Sequence, residues 1–385
     1  MKVAYVTTFD ATCLSNPNNW AGIGYYIPES LKNQSLSLQY IGSLKEDLAL
    51  KAVCKFKRHY HKIFTKAKYL RALDTRTLKN YSKQVSQQLS RIESNVVLSA
   101  TITPISYLDC RQPIVFWADA TFENLVDFYP QFTGLCKENI RQGHQMERLA
   151  LQQSSLSIYS SEWAAQSAIK YYNADPTKVK VVPFGANIDI YKTVEEIQEI
   201  IKSRPKSKCK LLFLGVDWLR KGGDLAVDVA IRLNHLGLDT ELTVVGCQPI
   251  LKDSLPAFIK PLGFISKSTR EGREKIYRLI ADSHFLILPS IADCTPIVFC
   301  EANSLGVPCL ARRVGGTSTI IRDDLNGKLF EKDSDANEYC EYILNCFTNY
   351  NKYQDLAFSA FHEYETRLNW RVSGKRVKDL LLTLL

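Results

Sequence analysis

Missing from this 385-residue chain are the marks of a disulfide scaffold, a zinc module or a membrane-spanning protein. None of its eleven cysteines is spaced C-x-x-C, and several fall inside apolar strand or helix patterns. They read as small buried residues of a reduced compartment. No apolar run approaches the length needed to cross a bilayer. The opening MKVAYVTTFDATC has one lysine and turns polar too soon for a signal peptide. A cytoplasmic protein is expected. No internal repeat or low-complexity tract is found, and no cluster of metal-ligand spacing. Asp333-Ser334-Asp335 has a D-x-D form but lies in a polar stretch. Hydrophobic residues make up 45% and charged residues 23%, the balance of an ordinary globular protein. At this length two domains are the better expectation.

What is present is an alternation of short apolar segments with helical patterns, which predicts doubly wound α/β domains. Strands are expected at 2–8, 95–100, 113–118, 155–160, 178–182, 209–216, 241–245, 259–265 and 285–288. Helical patterns cover 25–34, 270–281 and 335–349, among others. The charged run 195–210, with Pro205, has the composition of an exposed connection. The division between domains is therefore expected between about 185 and 208, with a first domain over 1–190 and a second over 205–360.

Charge is concentrated. Residues 51–83 hold eleven Lys or Arg and a single acid, Asp74, a local excess of ten against +9 for the whole chain. The rest of the protein is close to neutral. Val53, Phe56, Tyr60, Ile63, Ala67 and Leu70 recur at spacings of three and four, a stripe along one helix, with Lys55, Arg58, Lys62 and Lys66 off it. Two readings stay open: a domain helix whose stripe packs on a sheet with solvated charges, or a peripheral contact with an anionic membrane. Nucleic acid is disfavoured, because no binding module or base-stacking array accompanies the charge.

The chemistry gathers in FLILPSIADCTPIVFCEANSLGVPCLARRVGGTSTIIRDDLNG, residues 285–327. Its first apolar run suits a strand covered on both faces, whose carboxyl end is the rim where open parallel sheets bind ligands. Asp293 follows on the loop and Glu301 lies eight residues later, beyond Pro296, which suits the first turn of a helix. Between them run the amides of Cys294, Thr295 and Ile297. Carboxylates accept from sugar hydroxyls, and amides at a helix start attract phosphate oxygen. Equally, Asp293 can be a helix cap and Glu301 a solvated helix residue. Cys294 and Cys300 flank this stretch and read as packing residues.

Three further turns follow expected strands. Gly215 precedes Asp217-Trp218-Leu219-Arg220-Lys221-Gly222-Gly223, where basic residues and glycines suit a diphosphate or form only an exposed basic turn. Gly22-Ile23-Gly24 stands between the first strand and first helix, either approaching an anion or making a plain tight turn. Asp119 ends another strand, either orienting a substrate hydroxyl or capping the helix before Phe122.

The spacing Asp293-x7-Glu301, with Gly306-Val307-Pro308 and Gly315-Gly316 behind it, resembles the E-x7-E signature of retaining glycosyltransferases of the GT-B fold, family GT4 (glycosyl transferases group 1). Asp stands where that family has its first Glu, and Val216 where it has Arg; Lys221 keeps the register of the family Lys. Pro183-Phe184-Gly185 is similar to the crossing between the family's two domains. Such a resemblance implies two Rossmann-like domains facing a central cleft, with residues 361–385 crossing back to the first. It also implies a nucleotide-sugar donor, UDP- or GDP-linked, a hydroxyl acceptor, no cofactor and no essential metal.

In the family's terms Asp293 orients the sugar and Glu301 anchors the ribose. Lys221 and Arg220 stabilise the leaving diphosphate, and Asp119 positions the acceptor. Gly215, Cys294, Thr295, Pro296, Ile297, Gly22 and Gly24 line the donor. Basic patches of the first domain often reach lipid-linked acceptors in this family, which implies a peripheral role at the inner face of a membrane. A nucleotide-sugar epimerase and a catalytically silent homologue are the alternatives.

Overall fold

A computed structural model describes residues 1–14, 19–250 and 254–385. Between the first expected strand, 2–8, and Gly22 the sequence reads as a polar loop over 16–20, of which residues 16–18 lie outside the described residues. The chain divides into two compact units, Met1–Pro183 with Trp370–Leu385, and Phe184–Asn369.

The first unit is built on β1 (Lys2–Val6), β2 (Ser37–Ile41), β3 (Val96–Ser99), β4 (Ile114–Ala118), β5 (Ser154–Tyr159) and β6 (Val179–Val181). All pair parallel, in the order β2-β1-β3-β4-β5-β6. The second unit repeats the scheme with β7 (Cys209–Leu214), β8 (Thr240–Val245), β9 (Ile259–Gly263), β10 (Phe285–Leu288), β11 (Cys309–Arg312) and β12 (Gly327–Phe330). Their order is β12-β11-β10-β7-β8-β9, again parallel. Central strands such as β3, β4 and β10 are buried along their whole length, as strands covered by helices on both faces must be.

Helix Trp370–Leu382 packs on helix Ile23–Lys32 of the first unit, where Gly374 lies so close that a Cβ would stand 2.6 Å from Ser30 O. Trp370 stacks on Tyr26 and meets Trp117 edge-on. Residues 361–369, expected to cross with this tail, stay in the second unit.

Two expectations are corrected. The charged run 195–210 is not a connection: helix Val194–Ser203 buries Ile197 and Ile201 in the second core. Its charges sit on the outer face, and the two isoleucines four apart supply the inner one. The basic stripe is not one helix either. Helix Leu48–Tyr60 gives way to a π turn, His61–Thr65, and ends at Lys66 in the left-handed region, φ 51°. Only Leu50 and Cys54 are buried on the helix, while Phe56, Tyr60, Ile63 and Phe64 are exposed. The D-x-D segment does helix work, with Asp335 capping helix Ala336–Thr348 by accepting from Asn337 N at 2.8 Å. Among the described residues no helix is long and apolar enough to cross a membrane.

Candidate functional site

The second sheet reverses its order between β7 and β10. The chain leaves β7 for β8 and β9, then returns to place β10 on β7's other side. The crevice beyond the carboxyl ends at such a reversal is where open α/β sheets take ligands.

From the end of β7 comes Gly215, whose N–H donates to Val245 O at 2.9 Å. Lys221 folds back over it, so that a Cβ at 215 would lie 3.0 Å from Lys221 Cγ. Gly222 has φ +76°, and a Cβ there would stand 2.2 Å from Pro289 O on the loop leaving β10. Glycine is required at this contact because the two loops touch backbone to backbone. Gly223 lies against the Trp218 ring, and Trp218 Nε1 donates to Asp224 Oδ1 at 2.7 Å.

These contacts deliver the Lys221 ammonium onto Asp293 Oδ2, with the two side chains 12% and 8% exposed. Ser290 Oγ donates to the same oxygen at 3.4 Å. Arg220 lies alongside: Nη1 donates to Ala292 O at 3.0 Å, and Nε is 3.4 Å from Asp217 Oδ2. Gly316 N–H donates to Asp293 O at 3.2 Å, bringing the Gly-Gly turn to the same loop. Gly215, Arg220, Lys221 and Asp293 therefore converge. Asp293 is no helix cap, since the cap position of helix Ile297–Asn303 is Pro296, a residue expected inside the first turn.

Glu301 is on that helix and is 2% exposed, which removes the solvated alternative. Its Oε2 pairs with Lys267 Nζ, a residue without a sequence assignment. Lys267 occupies the loop between β9 and helix Arg270–Ala281. The rule that drew attention to Lys221, a lysine just beyond the carboxyl end of a parallel strand, also selects it. Cys294 and Thr295 are buried between the two acids, with Thr295 Oγ1 donating to Cys294 O at 2.8 Å. Burial pushes the Cys300 thiol up to about 12, and Sγ donates to Phe184 O at 3.8 Å; it packs rather than reacts.

Gly22, Gly24 and Asp119 belong to the first unit. Gly22, φ +94°, is the N-cap of helix Ile23–Lys32, and a Cβ on Gly24 would lie 2.6 Å from the Phe9 ring. That packing alone accounts for the second glycine. Asp119 follows β4 but does not cap the next helix: Thr121 does, in a reciprocal capping box with Asn124. The turn is held from below by buried Glu147, which accepts from Phe122 N at 2.8 Å and Tyr159 Oη at 3.1 Å. Burial pushes the Glu147 carboxyl up to about 7.

With this geometry in place, the family match falls in the second unit and the structural matches span both. Residues 208–349 match the family model described as "Glycosyl transferases group 1". A D-inositol 3-phosphate glycosyltransferase from Mycobacterium sp. (strain JLS) is 23% identical over 190 residues, covering 48% of this chain and 43% of the relative. The chain thus spans less than half the length of that relative. Among solved structures, sucrose-phosphate synthase from Thermosynechococcus elongatus superposes with a TM-score of 0.70 at 13% identity, covering 100% of this chain and 99% of that one. Anabaena HepE in complex with UDP-glucose gives 0.63 at 17%, covering 100% of both. The fold is GT-B. The two six-stranded parallel sheets of this protein match GT-B glycosyltransferase structures.

Proposed function

We propose that this protein is a glycosyltransferase that moves a sugar from a nucleoside-diphosphate sugar to a hydroxyl acceptor with retention at the anomeric carbon. The observation that carries the reading is the buried Lys221–Asp293 pair at the reversal point, with Arg220 beside it. The match over 208–349 covers this site, and the UDP-glucose held by HepE supports a UDP-sugar, with a GDP-sugar as the second donor to try.

A diphosphate entering here competes with Asp293 for the Lys221 ammonium. As Lys221 turns to the phosphate, Asp293 is released to accept from sugar hydroxyls. As the bond from the anomeric carbon to the diphosphate breaks, negative charge grows on the departing oxygen, where Lys221 and Arg220 stabilise it in a largely dry site. Glu301 takes the ribose hydroxyls and Asp119 orients the acceptor. No metal is called on in this scheme. Calorimetric titration with UDP, GDP and ADP tests it. One nucleotide is expected to bind wild type, and Glu301→Ala to weaken it about tenfold or more. No heat from any of the three would remove the reading.

The acceptor in this reading is presented at an anionic membrane surface. Its support is the exposed tip of the first unit's basic segment, where Phe56 is 71% and Phe64 72% exposed, ringed by exposed Lys51, Lys55, Arg58, Lys62 and Lys66. Apolar side chains among lysines gain from both acyl-chain burial and surface potential. In co-sedimentation with phosphatidylglycerol vesicles, Phe56→Ser/Phe64→Ser is expected to bind at least about tenfold more weakly, from about 1.5–3 kcal/mol per buried ring. Equal binding by the variant would refute the surface, and salt-sensitive binding to duplex DNA in its place would point to nucleic acid.

A further inference from the structure

Glu301 carries a charge for which its own helix supplies no partner. Among the described residues one group donates to its carboxylate, the Lys267 ammonium on Oε2, although a carboxylate has about four acceptor sites. Lys267 is 40% exposed, a mobile kind of side chain on the wet side of a buried acid.

The chain around it is pinned. Arg273 Nη1 donates to Lys267 O at 3.0 Å, and the Ser266 and Ser268 hydroxyls are 2.7 Å apart. Beneath the loop runs Gly272, where a Cβ would stand 1.9 Å from Ser266 O. That glycine lets the helix begin directly under the loop, so the Lys267 backbone is held from both sides.

The wider rim is balanced. Arg220 with Asp217, Lys221 with Asp293 and Lys267 with Glu301 make three bases against three acids. Removing Lys267 would leave the rim one charge negative, with that charge on a group withdrawn from water. A diphosphate would then have to approach an uncompensated buried anion.

We infer that Lys267 is a positioning residue of the nucleotide site, acting through Glu301: it orients the carboxylate for ribose hydroxyls and cancels the charge that would repel the diphosphate. The inference rests on the glycosyltransferase reading for the identity of the ligand. The opposite role is also well defined. If the ammonium merely occupies acceptor sites that the ribose needs, its removal tightens binding.

The experiment is a mutant cycle read in two ways, by calorimetry with UDP as the probe and by melting temperature. Lys267→Met is expected to weaken UDP at least about tenfold, and Lys267→Arg, which keeps the charge, to stay within about threefold of wild type. Lys267→Met/Glu301→Gln is expected to bind no more weakly than Glu301→Gln alone, because Lys267 works through that acid. Lys267→Met should also lower Tm by a few degrees, with the double variant recovering the loss.

Tighter or unchanged UDP binding by Lys267→Met overturns the inference. So does a double variant weaker than Glu301→Gln alone, which would assign Lys267 a direct ligand contact. Should wild type not bind UDP, GDP and then ADP replace it in the same series. If none binds, the glycosyltransferase reading fails by itself. The Tm cycle still decides whether Lys267 compensates Glu301, and additive Tm changes would sink that coupling.

Discussion

Lys221→Ala is expected to lower turnover of the nucleotide-sugar about 10²- to 10³-fold, the loss typical of removing one preorganised charge stabiliser from a transition state. Release of free nucleoside diphosphate in the presence of acceptor measures it. Lys221 has two jobs. In the ligand-free protein it is the counter-ion of Asp293, and truncating it strands a buried carboxylate. A fall in activity could then reflect a loosened loop. Lys221→Met/Asp293→Asn separates the two: with both charges gone the melting temperature is expected to return toward wild type, while turnover stays low. Turnover within threefold of wild type in a folded Lys221→Ala protein would contradict the assignment. Restored turnover in the double variant would mean that Lys221 serves structure alone.

The features legible in the sequence were those that burial on both faces writes as a continuous apolar run. β10 is an example, four apolar residues bounded by His284 and Pro289. Lys221, Arg220 and Asp293 were legible because glycines and a proline mark the turns just after β7 and β10, and a turn at a strand's carboxyl end is where chemistry collects. Of the three strands with no sequence reading, β2 and β12 are sheet edges and β11 lies beside the edge strand β12. β2 reads SLQYI with a single fully buried residue, so half its surface needs no apolar side chain and the pattern fades. For the stripe from Val53 to Leu70 the sequence left open what, if anything, covers it. Periodicity records which residues share a helix face but not whether anything covers that face. Here Lys57 turns inward to Asp74 at 2.9 Å and to Glu138, while Phe56 and Phe64 stay outside. Lys267, just beyond the carboxyl end of β9, was within reach of the same rule, but its pairing with Glu301, 34 residues away, was not, because spacing arguments reach only as far as one turn or one loop.

Arg204→Ala is expected to cost about 3–5 kcal/mol and to lower the melting temperature by roughly 10 °C. Charge and a following Pro205 make this position read as surface, yet the residue is buried. Its guanidinium closes the second unit's lower core. Nε donates to Ala281 O at 3.0 Å, Nη1 to Gly306 O at 2.6 Å and to Tyr353 Oη at 2.7 Å, and Nη2 to Leu305 O at 2.7 Å. Ala281 ends helix Arg270–Ala281, and Leu305 and Gly306 follow helix Ile297–Asn303, so three of the four acceptors are carbonyls at or just beyond helix carboxyl ends. Such carbonyls have no intrahelical partner and carry the negative end of the helix dipole. One planar cation with a fixed fork of donors can satisfy all of them; an ammonium cannot reach both helix ends at once, so Arg204→Lys is expected to recover less than half of the loss. The second of these helices carries Glu301, and its end is anchored at Arg204. The truncation is therefore expected to loosen nucleotide binding along with the fold. A melting temperature within 2 °C of wild type for Arg204→Ala would mean that water replaces the guanidinium at these carbonyls and that the helix ends are held by other contacts.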